Sequence, residues 1–288
     1  MSKQTTFPKY EVLNVEIDAL TIAEANHLIT DHAANPTSAA WYVTKPYSEF
    51  IDGVITSPAR KAYLDQANLC LPDGIGICWA TVFRYGGGRH WWRIITTGVS
   101  LILHPKSAYQ FLPEKFAGPN AAWPLLELAA QRGLKVFLIG SPKNSSITKT
   151  VQTIQTKLPN LAIVGQLPGE IAGLTGPKLL AAVEAGLDLT ELVATVNTSG
   201  ADIILIGMGF PLQEAIMSRL QPLLRHGVMI GEGGTFDYDS FGGHQVRAPK
   251  LVQNIGLEWL WRLAHNPSRL GRQLAIPRLI WQVYREPR

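Results

Sequence analysis

Short apolar runs ending in glycine alternate along this chain with segments whose apolar residues recur at helical spacing. Residues 134–140 (LKVFLIG), 161–169 (LAIVGQLPG), 201–211 (ADIILIGMGFP) and 226–234 (HGVMIGEGG) read as strands buried on both faces. Between them, 121–133 reads as a helix closed by Gly133, and 145–159 as an amphipathic helix. GPKLLAAVEAG, LTELVATVNTSG and LQEAIMSRLQPLL supply further helices. Upstream, 10–16 alternates like one strand, 20–34 has helical spacing, and 39–45 is β-rich. Residues 57–67 open with Ser57-Pro58, a cap followed by proline at the first helical position. Residues 68–74 read as a short buried strand running into a loop.

Two segments break the rhythm. Residues 84–119 mix glycine-rich and aromatic pieces and read as an irregular insertion rather than a regular element. After about Ala248 the βα alternation stops, and 248–288 reads as a helical appendage rich in Trp and Arg. Apolar strands alternating with helices build a parallel sheet covered on both faces, so the expected class is α/β, Rossmann-like, over 1–247. No internal repeat is present.

Charge changes this picture in one place. The 288 residues are 46% hydrophobic and 17% charged, with net charge +4. From Arg247 onward eight Lys/Arg face two acids, so the tail carries +6 and the body −2. The body is therefore no nucleic-acid platform, and the tail is a separate electrostatic object. The two cysteines, Cys70 and Cys78, lie in apolar surroundings and read as buried small hydrophobes. The N-terminal residues lack a signal-type apolar segment. No apolar run approaches the roughly 18 residues of a membrane span. The expectation is a soluble or peripheral protein.

Ligands of an open parallel sheet bind at the carboxyl ends of its strands. Four exits there run into glycine: LPDGIG, LIGSPKNS, LIGMGFPLQE and MIGEGGTFDYD. Each alone is an ordinary tight turn or a phosphate cradle; together they favour a nucleotide-type ligand. GMGFPL carries two glycines of the dinucleotide fingerprint but Leu212 at the third place, which argues against a dehydrogenase, and GxxxxGK[ST] and GxSxG are absent. Asp73, at a strand mouth before Gly74 and Gly76, suits a general base taking a hydroxyl proton. The alternative is that its side chain caps the next helix. Asp237 and Asp239 suit turn stabilisation better than a metal site.

LPDGIGICWA, LKVFLIGSPKNS, ADIILIGMGFPLQE, IGEGGTFDYDSFGG and RAPKLVQNIGLEWLWRLAHNPSRLGRQ, in that order, resemble the WecG/TagA/CpsF family, glycosyltransferase family 26, over roughly 10–285. The resemblance implies an inverting transfer of a sugar from a UDP donor to a polyprenyl-diphosphate-linked sugar, in cell-surface polysaccharide synthesis. It implies a peripheral enzyme at the cytoplasmic face, without metal or other cofactor, with an appendage meeting the membrane. A homo-oligomer is compatible with it. The family's base falls on Asp73, and its Gln on Gln213 with Glu214 beside it. Thr44 matches an early Thr-x-Asn motif whose Asn position holds Pro46. Lys115 stands where the family has Arg, and Asn120 where it has Asp.

The leaving diphosphate would then meet Lys115 and the N–H groups near Gly140, Gly207, Gly209, Gly233 and Gly234. Arg262, Arg269 and Arg272 of the tail are candidates for holding the diphosphate or anionic head groups. Packing of the tail's Trp and Leu onto the body, with Arg in water, is the plainer alternative. The altered Pro46, Lys115 and Asn120 also keep open a non-catalytic nucleotide-sugar-binding protein.

Overall fold

A computed structural model describes residues 7–88, 90–140, 145–265, 267 and 270–286, with only the backbone described at Arg272. The chain opens with an antiparallel hairpin, β1 (Lys9–Val12) and β2 (Val15–Asp18). Leu13 and Asn14 both have positive φ (52° and 61°), the signature of a two-residue primed turn. The alternation in 10–16 thus runs straight through a turn, which is why it reads as one strand. Next come α1 (Ile22–Ala33), β3 (Trp41–Thr44), α2 (Ser48–Ile55), α3 (Pro58–Asp65), β4 (Leu69–Cys70) and α4 (Ile75–Tyr85). Thr21 and Glu24 close a reciprocal capping box on α1.

The segment 84–119 is mostly regular, which corrects its reading as an irregular insertion. It holds α5 (Trp92–Leu103) and a 3-10 turn at Pro105–Tyr109. The glycine run 86–88 that suggested irregularity lies in the α4–α5 connection. The rest alternates helix and strand: α6 (Pro119–Gln131), β5 (Lys135–Gly140), α7 (Ile147–Lys157), β6 (Ala162–Pro168), α8 (Gly176–Glu184) and α9 (Thr190–Ser199). Then follow β7 (Ile203–Gly207), α10 (Leu212–Leu220) and β8 (Val228–Gly231). The tail contains α11 (Lys250–Asn254), α12 (Glu258–His265), α13 (Leu270–Gln273) and α14 (Ala275–Arg285).

The main sheet has six strands in the order β4-β3-β8-β7-β5-β6, every pairing parallel. This is the Rossmann-like α/β class. Strand side chains partition by period two. Val43, Val136, Leu138, Ile203, Leu205, Val228 and Ile230 pack against α1, α6 and α7. Tyr42, Phe137, Ile139, Ile204, Ile206 and Met229 pack against α8, α9 and α10. Continuous apolar strands are the consequence of this two-sided burial.

A third cluster joins the hairpin, α2, α4, α5 and α14 through Ile17, Phe50, Ile51, Ile77, Phe83, Leu101, Leu279 and Val283. α14 therefore lays its apolar stripe (Ala275, Leu279, Val283) onto the body. No helix among the described residues is long and apolar enough to cross a membrane.

Candidate functional site

Because all six strands are parallel, their carboxyl ends share one edge. A cavity of about 510 Å³ opens there, within the range of small-ligand sites. Its walls come from the exits of β3, β4, β7 and β8, from the loop before α6, and from α12.

Asp73 sits on this wall, partly accessible. Its loop is locked at both ends: the Asp73 amide donates to the Pro46 carbonyl (2.9 Å), and the Phe116 amide to that of Pro72 (2.7 Å). Gly74, with φ 84°, is the N-cap of α4, and no side chain caps that helix. The cap role open to Asp73 in the sequence is thus not taken up. Among the described residues none donates a hydrogen bond to its carboxylate, which faces the cavity. Burial pushes its pKa up to about 6, against the pull of Arg262 and Lys45 and with the push of Glu258.

A buried polar chain lies at and beneath the cavity floor. Thr44 Oγ1 donates to Glu214 Oε1 (3.2 Å), as does Gln213 Nε2 (2.9 Å). Gln213 Oε1 accepts from the amides of Gly209 (3.1 Å) and Gly233 (2.9 Å). Gln213 thereby ties together the β7 and β8 exit loops. Burial raises the Glu214 pKa to about 7, against the hydrogen bond from Gln213. Lys45, directly after β3, pairs at 2.7 Å with Glu232, directly after β8. Gln213→Ala would leave the amides of Gly209 and Gly233 without their acceptor, each costing about 1–3 kcal/mol, while Glu214 Oε1 would keep Thr44. The expected result is a clear drop in the urea midpoint with unchanged slope; a midpoint equal to wild type would show that Gln213 is no brace.

Two kinds of glycine are mixed in these exits. A Cβ on Gly207 would run into the Phe236 ring, and one on Gly140 would sit tightly between that ring and the Gly207 carbonyl, so both are packed close. Gly209 and Gly233 have φ of 74° and 56°, and a Cβ on either would meet nothing within 4 Å. Gly207, Gly209, Gly233 and Gly234 line the cavity; Gly140 does not. Thr44 and Glu214 lie below the lining.

Cationic groups face the Gly-rich exits. Lys115 lines the cavity, donates to the Gln253 carbonyl (2.8 Å) and forms no ion pair among the described residues. Arg262, on α12, also lines it and pairs with Glu258 at 2.6 Å. Arg247 binds the same carboxylate at 3.2 Å, and Tyr238 donates to it at 3.3 Å. Both guanidinium groups stand 5.3 Å from the Tyr238 ring centroid. Burial alone would raise the Glu258 pKa; Arg262 and Arg247 hold it below the usual range.

Asn120 lies outside the cavity. It is exposed and accepts from Arg247 Nη1 (3.0 Å), because the start of α6 turns it toward the tail. Arg269 and the side chain of Arg272 lie outside the described residues. Asp237 lines the cavity and is buried, whereas Asp239 starts a short turn. Among the described residues no three His, Cys, Asp or Glu side chains converge as metal ligands do. Sequence reasoning passed over Lys45, Glu232, Tyr238, Arg247 and Glu258. Lys45 closes the β-rich run 39–45 and Glu232 stands in the exit MIGEGGTFDYD, and a charge at the end of an apolar strand was the available signal.

Fold and site are those of an α/β glycosyltransferase. The sequence model of the glycosyl transferase WecG/TagA/CpsF family matches residues 88–288, and the chain belongs to that family. It is also 26% identical, over 272 residues, to a Bacillus spizizenii protein. That relative is an N-acetylglucosaminyldiphosphoundecaprenol N-acetyl-beta-D-mannosaminyltransferase; the match covers 94% of this chain and 89% of the relative. Asp73 precedes the segment matched by the family model but falls within the reach of a match of this length.

Proposed function

We propose that the protein is an inverting glycosyltransferase. It moves a sugar from a UDP-sugar onto a polyprenyl-diphosphate-linked sugar, at the cytoplasmic face of the membrane, in cell-surface polysaccharide synthesis. One observation carries the reading: Asp73 shares a single cavity with Lys115, Arg262 and the open glycine turns at Gly209 and Gly233.

In this mechanism the acceptor hydroxyl attacks the anomeric carbon while the bond to the donor diphosphate breaks on the opposite face. Asp73 takes the hydroxyl proton as the new glycosidic bond forms. The electron pair leaves with UDP. Its growing charge meets Lys115 and Arg262, which are held in place beside the glycine turns before the reaction starts. No metal enters this account. Lys115 offers a point charge rather than a two-pronged contact. Glu258 keeps Arg262 and Arg247 in position while the cavity lacks a diphosphate.

The relative supports the acceptor class and makes an N-acetylmannosamine donor the first to try. The test is turnover of a UDP-sugar panel with a polyprenyl-diphosphate-GlcNAc acceptor. Consumption of one donor with release of UDP and an inverted product is the expected result. Binding of UDP without transfer to any acceptor on the panel would instead favour a nucleotide-sugar-binding protein.

A further inference from the structure

We propose that the outer face of α5 is a bilayer-docking surface, seating the chain on the leaflet that holds its lipid-linked acceptor. The choice of acceptor leaflet rests on the transferase reading above; the surface itself rests on α5.

Helix α5 is apolar on two sides. Its inner side presents Thr97 and Leu101, both buried, with Ile94 packed on the third core cluster. Its outer side presents Trp92, Ile95 (62% exposed), Val99 and Ile102, with Leu103 (67%) at its end and Trp91 (67%) just before it. Spacings of three and four residues set these in one stripe along the helix. The one charged residue in the helix, Arg93, turns back to donate to the carbonyls of Phe83 (2.9 Å) and Gly88 (2.7 Å). It leaves the outer stripe without charge. A helix apolar all round is normally covered on both sides.

The flanking chemistry selects a lipid surface as the cover. Between residues 74 and 113 there is no Asp or Glu. Arg84 in that span is paired with Glu11 and Glu286 and Arg93 is turned inward, so the exposed cation beside the stripe among the described residues is Lys106. His104 and Lys106, at one end of α5, are exposed. At the other end Trp91 and Trp92 are exposed, and His90 stacks on Trp92 (5.4 Å between centroids). Aromatic and basic residues bordering an apolar stripe match the head-group boundary of an anionic leaflet.

Position fits as well. Gly98, in the middle of α5, lies against Trp79 of α4. Trp79 is four residues past Ile75, the first residue of α4, or about 6 Å along the helix axis at 1.5 Å per residue, and Asp73 stands just before the N-cap Gly74. A leaflet touching α5 therefore lies close to the cavity end of α4. An acceptor anchored in that leaflet needs only its head to reach the base.

The experiment is flotation of the full chain with phosphatidylcholine vesicles, with and without phosphatidylglycerol. Wild type is compared with Ile95→Glu/Val99→Glu and with the milder Ile95→Ser/Val99→Ser, after circular dichroism has shown each to be folded. Transfer to a short-chain, water-soluble diphosphate-linked acceptor is measured in parallel. Wild type is expected to float with the phosphatidylglycerol vesicles. The Glu pair should lose about tenfold or more of that partitioning, the Ser pair less. Both should keep transfer to the soluble acceptor. Unchanged flotation of the Glu pair would overturn the proposal. So would a wild-type dimer in light scattering that the Glu pair dissociates while neither protein floats. If flotation depends on α5 but no protein transfers sugar to the soluble acceptor, the transferase reading fails and the surface stands.

Discussion

Asp73→Asn is expected to cut sugar transfer by about 10²–10⁴-fold, the usual contribution of a positioned general base. Retention of UDP should be unchanged, because the diphosphate contacts lie on Lys115, Arg262 and the exit loops. Burial holds the Asp73 pKa at about 6, so the wild-type rate should rise with pH and level off above that value. The variant's residual rate should lack this step. Stability gives an independent readout. A carboxyl whose folded pKa exceeds its unfolded value of 3.8 binds more protons in the folded state. Stability therefore falls as pH climbs from about 4 to 6, and the penalty is fully present above the folded pKa. A shift of this size corresponds to at most about 3 kcal/mol. Asparagine removes the charge, so the variant should be as stable as wild type at pH 7, or more so, and less stabilised by acid. A variant that transfers as fast as wild type would make Asp73 structural and remove the base from the mechanism.

The parts of this molecule legible in its sequence are those where one physical signal dominates. β5, β7 and β8 are continuous apolar runs because helices cover both faces of the sheet, and each run ends at a glycine. α6 and α7 announce themselves by spacing and by their closing and opening residues. α2 and α4 did not. The residues after Thr44 carried no helical reading and the glycines at 74 and 76 marked a strand mouth, yet Gly74 is the cap of α4. Gly76 lies where a Cβ would strike Ser48 of α2, so it permits close helix packing rather than flexibility. In the site, Asp73 could be picked out because local sequence placed it at a strand mouth. The partners of Glu258 could not. Arg247, Tyr238 and Arg262 come together only when the tail folds back over the sheet edge. The family resemblance, in which Asn120 stands at an Asp position, made it a binding candidate, but one helical start is enough to turn a side chain away from a cavity. Gly140 and Gly207 show a further limit: the sequence reveals that a glycine is present, not whether a ligand or a phenylalanine ring requires it.

Lys45→Met is expected to cost about 3–5 kcal/mol of folding stability, the range for removing one member of a buried ion pair. The Lys45 and Glu232 side chains are 7% and 1% exposed and 2.7 Å apart. They join the ends of β3 and β8, which are neighbours in the sheet. Methionine fills much the same volume as the lysine stem, so the loss reports the stranded Glu232 carboxylate rather than a cavity. Urea unfolding should show a lower midpoint with an unchanged slope. The double variant Lys45→Met/Glu232→Leu should recover most of the loss, since an apolar pair avoids the desolvation both charges pay. A single variant within about 1 kcal/mol of wild type would mean that Glu232 is supported without Lys45. The double variant also separates fold from chemistry. Lys45 borders the cavity and lowers the Asp73 pKa, so its removal leaves the base with one cation fewer. A folded Lys45→Met single variant should show its pH step displaced to higher pH, and the double variant, which removes one charge of each sign from the cavity wall, a smaller displacement. A step that stays near the wild-type position would place Lys45 in the scaffold alone, with Arg262 the cation that sets the base.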